Sequence, residues 1–128
     1  MKFKDSTGQD WVWPKLTTRV LNNLRDNQQV DLRQLLRTKA EEVGEALMDD
    51  EKLIAVFMYL CKPQVDERGL TKEQVEDRWD GETNLAARES LVESFFRHSQ
   101  SQKVTEVLMR RFRGEGTSLA TLSESPGS

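Results

Sequence analysis

The segment Leu53-Ile54-Ala55-Val56-Phe57-Met58-Tyr59-Leu60-Cys61 constrains this chain most. It is apolar on nearly every side, so other parts of the molecule must surround it. It spans less than half of the roughly 20 residues that a membrane-crossing helix requires, so protein rather than lipid is expected to cover it. Asp49-Asp50-Glu51 stand just before it, where the positive end of a helix dipole favours negative charge. The β-branched residues would also suit a buried strand. The acidic start, with no partner strands in evidence, favours a central buried helix. Proline has no amide hydrogen and restricts the residue before it. The helix is therefore expected to end at Lys62-Pro63, with a polar loop from Gln64 to Gly69.

The rest of the chain supplies elements that can cover this helix. Leu16 and Leu21 fit a hydrophobic staple around Thr17, Val20, Leu21 and Leu24 can share a helical face, and the polar run Asn22 to Gln29 limits this helix. Asp31 with Gln34 fits a capping box, with Val30 and Leu35 as its staple and Leu32, Leu35 and Leu36 as the apolar side. Ala40, Val43, Ala46 and Leu47 continue at helical spacing. Thr71 and Gln74, flanked by Leu70 and Val75, give the clearest start signal, for a helix reaching Trp79 and stopping at Asp80-Gly81. A helix over 82–98 is expected to turn Leu85, Leu91, Val92, Phe95 and Phe96 inward. One over about 103–113 carries the stripe Val104, Val107, Leu108 and Phe112.

Residues 1–13 fit a β-hairpin turning at Gly8, with Trp11 and Trp13 on one face of its second strand and Pro14 after it. The fold expected is mainly α: a compact bundle of about five to six helices with a short N-terminal β-hairpin, forming one domain over 1–113. Residues 114–128 are rich in Gly, Ser and Thr and lack Lys and Arg, which fits a flexible tail.

Chemistry-bearing motifs are scarce. The single histidine, His98, has no nucleophile or carboxylate evidently held beside it. The single thiol, Cys61, lies in the most apolar stretch, where burial makes it inert. One cysteine excludes an internal disulfide and a multi-cysteine zinc site, and fits a reducing cytoplasm. The charged, polar start has no signal-peptide pattern. Glu41, Glu42, Glu45, Asp49, Asp50 and Glu51 lack calcium-loop spacing and fit a solvated helix face. No glycine pattern matches a phosphate-binding loop, and Gly114 fits a helix stop. No catalytic, metal or cofactor site is expected, and no enzymatic activity.

Two features remain as candidates for partner binding. Arg97, Lys103, Arg110, Arg111 and Arg113 interleave with Phe112 and meet one local acid, Glu106. They suit an acidic protein surface or nucleic acid, although basic residues near a helix C-terminus also complement its dipole while staying hydrated. Nineteen basic residues against 22 acidic ones give a net charge of -3, which argues against a general nucleic-acid coat. This basic cluster and the acidic stretch at 41–51 are opposite in sign, and can meet in the fold or between subunits of a homo-oligomer. The second feature is Trp11-Val12-Trp13. Its indoles are expected to cap the helical core, while its backbone edge stays open to a strand from another chain.

The order of elements carries a resemblance. The chain opens on Lys4-Asp5-Ser6-Thr7-Gly8-Gln9-Asp10-Trp11, followed by Val30-Asp31-Leu32-Arg33-Gln34-Leu35-Leu36. Leu60-Cys61-Lys62-Pro63-Gln64 then leads to Gly69-Leu70-Thr71-Lys72-Glu73-Gln74-Val75, and to Ala86-Ala87-Arg88-Glu89-Ser90-Leu91-Val92-Glu93-Ser94-Phe95-Phe96. Over about residues 3–113 this resembles the small tail-assembly and virion-morphogenesis proteins of long-tailed phages and prophages. The resemblance implies a non-enzymatic, cytoplasmic chaperone that binds the hydrophobic tape-measure protein and helps tail-tube subunits assemble on it. Alternatives are a structural virion subunit forming rings through the hairpin edge, and a small regulatory nucleic-acid binder using the basic cluster.

Overall fold

Antiparallel pairing of Lys2–Lys4 (β1) with Asp10–Val12 (β2) opens a chain that is otherwise helical. The computed structural model describes residues 1–37 and 40–113. After the hairpin come α1 (Thr18–Gln28), a 3-10 helix (Leu32–Leu36), α2 (Ala40–Ala46), α3 (Asp50–Leu60), α4 (Lys62–Glu67), α5 (Lys72–Asp77), α6 (Gly81–Ser99) and α7 (Gln102–Phe112). The flexible tail and the helix stop expected at Gly114 lie outside the described residues. Among those residues no helix is long and apolar enough to cross a membrane.

The capping signals act locally, and several hold to the residue. Thr17 accepts from the Val20 amide, Asp49 from that of Glu51, and Thr71 with Gln74 forms the full reciprocal box. The central helix forms as expected, and Leu53, Val56, Phe57 and Cys61 are fully buried. Pro63 acts differently from expectation. It closes α3 but also opens α4, where it sits in the first turn and its missing N–H costs nothing. Residues 62–67 are thus helical rather than loop, one reason the described residues hold seven α-helices and not five to six. At Asp31 the side chain accepts from the nearby Arg33 amide instead of completing a box with Gln34, and the turn that follows is 3-10.

One expected core residue is overturned and one expected apolar stripe is only half confirmed. Leu85 is 46% exposed, because α6 buries Thr83, Ala87, Ser90 and Leu91 and turns Leu85 away. The α7 stripe is split: Val104 and Val107 are 43% and 39% exposed, Leu108 and Phe112 are half-buried against the core, and Thr105 and Met109 are buried. Each buried residue follows Val104 or Leu108 by one position, about 100° round the helix.

Phe57 lies at the centre of an aromatic cluster. Its ring centroid is 5.0 Å from that of Trp11, 5.3 Å from Trp79, 5.7 Å from Phe3 and 5.9 Å from Trp13. Each indole N–H has a partner: Asp5 for Trp11, Ser90 for Trp13 and Asn84 for Trp79. The hairpin, marginal alone, is thereby held against α3 and α6.

Asp5 organises the hairpin turn. Its carboxylate is almost fully buried and accepts from the Thr7 amide (2.9 Å) and hydroxyl (2.6 Å), the Gln9 amide (3.1 Å) and the Trp11 indole (3.0 Å). Arg78 adds an ion pair at 3.6 Å. Burial by itself would push this carboxyl up, but the hydrogen bonds from Thr7, Trp11 and Gln9 outweigh it and hold it below the usual carboxylate range.

The outer edge of β2 is occupied. The Gln64 carboxamide donates to the Val12 carbonyl and accepts from the Val12 amide at 3.0 Å, as a neighbouring strand would. Gln64→Ala is expected to lower stability by about 1 kcal/mol, because Val12 turns to water for its partners. Faster hydrogen exchange at the Val12 amide is the measurement that checks it.

Candidate partner-binding groove

The candidate site is built from the amphipathic pattern of α7. Its face at Leu108, Arg111 and Phe112 turns toward α2, and the two helices flank an open groove of about 640 Å³ with α6 at its base. Leu35, Phe96, Leu108 and Phe112 give the groove its apolar surface. From α2 come Ala40, Glu41, Gly44 and Glu45, followed by Met48, which is 59% exposed. Arg88 lies under Phe112, its guanidinium carbon 5.6 Å from the ring centroid. Val104 and Val107 stand one helical turn before Leu108 and Arg111, and add exposed apolar surface beside the groove.

Four of the five basic candidates divide between two places. Arg111 and Arg113 line the groove. Arg97 and Arg110, again with Arg113, line a smaller depression of about 280 Å³ between α6 and α7. Lys103 is exposed in the first turn of α7 and lines neither. Their electrostatics differ from the sequence expectation. Packing of α7 on α6 brings Glu89 and Glu93 to Arg113, while Arg97 meets Glu93 one helical turn away on α6 itself. Arg97 binds Glu93 at 2.7 Å, and Arg113 approaches Glu89 at 3.6 Å and Glu93 at 3.9 Å. Arg88, Arg110, Arg111 and Lys103 have no ion pair among the described residues. Glu41 and Glu45 line the same groove as Arg88, Arg111 and Arg113, so part of the acidic stretch does face the basic helix.

Trp11 and Trp13, the other candidates, are 1% and 3% exposed. Their side chains belong to the core, where Arg68 also covers Trp11 with its guanidinium carbon 4.0 Å from the ring. They offer no indole to a partner, and Gln64 takes the adjacent backbone edge.

Cys61 is buried, and burial pushes its thiol up to about 12. Its sulfur lies 3.5 Å from the Val12 carbonyl. His98 is exposed near the end of α6. Among the described residues no three His, Cys, Asp or Glu side chains gather as a metal site would require.

The groove itself was missed by the sequence reading. The usable signal was Gly44, a residue unfavourable in a helix interior, on the wall of the groove. A Cβ built there meets nothing within 4 Å. No protein-family model matches the chain, and neither a curated protein nor a solved structure matches it.

Proposed function

We propose that this is a non-enzymatic assembly protein of the phage tail-chaperone type, acting in the host cytoplasm, whose groove between α2 and α7 holds an amphipathic helix of its client. The observation that carries the reading is the apolar face of α7. Val104 and Val107 are exposed, and Leu108 and Phe112 pack partly against the core yet leave surface on the groove, while Thr105 and Met109 are the buried residues of the helix. An apolar face only partly taken up by its own core is what a helix-in-groove partner needs. The resemblance supplies the class of client, a tape-measure protein with long hydrophobic helices, and tail-tube subunits as further partners.

The alternatives have less support. A nucleic-acid surface would need its arginines available, and Arg97 and Arg113 are engaged by α6 acids. Ring formation through the hairpin needs an open β2 edge, and Gln64 occupies it at Val12.

Co-purification with a co-expressed tape-measure protein tests the reading. Val104→Asp with Val107→Asp is expected to abolish it, while changing stability by no more than about 0.5 kcal/mol per site. Gly44→Leu is the sharper test. It replaces a helix-interior glycine, worth about 1 kcal/mol of added stability, and fills the groove. A variant with a higher Tm that no longer retains the client is the expected result. Undiminished co-purification by both variants would rule out the groove, and none by the unmodified protein would rule out the tail-assembly role.

A further inference from the structure

The two sides of the groove carry opposite charge. Glu41 and Glu45 stand one helical turn apart on α2, Arg111 and Arg113 stand opposite at the end of α7, and Arg88 lies between them at the base on α6. Among the described residues the glutamates form no ion pair across the gap, and Arg88 and Arg111 form none at all. Arg113 reaches its α6 acids only at 3.6 and 3.9 Å. An apolar floor therefore runs between an acidic and a basic margin that do not neutralise each other.

We infer that the groove selects an amphipathic helix with unlike flanks: an apolar seam, Lys or Arg along the side facing α2, and Asp or Glu along the side facing α7. This rests on the helix-in-groove reading above and goes beyond it. Seam contacts alone accept a helix in either direction. Turning a helix end for end while its seam stays down exchanges its left and right flanks. Opposite margins therefore give each such helix one preferred N-to-C direction, as charged flanking positions do in coiled coils. Glu41, Glu45, Arg111 and Arg113 are solvent-exposed, so they set preference and direction more than total affinity.

Calorimetric titration of the full chain with three synthetic helical peptides tests this. All share one Leu seam. One carries Lys on one flank and Glu on the other, one carries Lys on both and one carries Glu on both. The mixed peptide is expected to bind roughly tenfold more tightly than either uniform peptide at low salt, and the difference shrinks as salt is raised. Glu41→Lys with Glu45→Lys makes both margins basic and is expected to move the preference to the Glu-only peptide. Equal binding of all three peptides would overturn the charge inference and leave the groove reading standing. Binding of none would overturn both. A concentration-dependent dimer of the chain, lost in Val107→Asp, would put a second copy in the groove and also overturn the inference.

Discussion

Phe57→Ala is expected to cost about 3–5 kcal/mol, a large share of the roughly 5–15 kcal/mol that holds a domain folded. Phe57 is fully buried, and its ring makes edge or tilted contacts with four other aromatic rings that come from three separate parts of the chain. Removing it leaves a cavity that these rings cannot close together, because each indole is tied by its N–H to a different residue. Urea unfolding followed by circular dichroism is the measurement. A loss under 1 kcal/mol would mean that the cluster is not packed around this ring.

Asp5→Asn is expected to destabilise by about 3 kcal/mol, although it changes a single atom. The carboxylate receives only donors: two amides, a hydroxyl, an indole and the Arg78 guanidinium. An amide NH2 must face one set of them, donor against donor. The same group predicts a pH dependence. Its folded pKa is depressed, so its contribution is fully present above the ordinary carboxylate value near 3.8. It is lost as pH falls through that value toward the lower folded one. Acid unfolding monitored from pH 6 downward should therefore show this contribution falling away below about pH 4, and the Asn variant should show a shallower dependence there.

Local chemistry was the legible part of the fold. Thr17, Asp49 and Thr71 cap helices with residues within three positions of themselves, and such signals survive any tertiary arrangement. The Trp11 and Trp13 alternation shows the buried face of β2 for the same reason. What depends on distant packing was not legible. Pro63 carries the same local meaning whether a loop or a helix follows it. The α7 stripe marks an apolar face correctly, but periodicity does not say whether the chain itself or another molecule covers that face. Glu93 lies twenty positions from Arg113, so their approach at 3.9 Å follows from the α6–α7 packing and not from any motif. Of the candidate residues, Arg111 and Arg113 reach the groove; its acidic margin and its glycine needed the fold.

The arrangement of the three tryptophans has a practical side. All of them gather around Phe57, and neither a tryptophan nor the single tyrosine lines the groove. Intrinsic emission is therefore a sensitive gauge of whether the hairpin remains seated on α3, and is nearly blind to a guest bound beside α7. A silent emission titration would say nothing against binding, and a reporter dye attached near Met48 would see what the indoles miss.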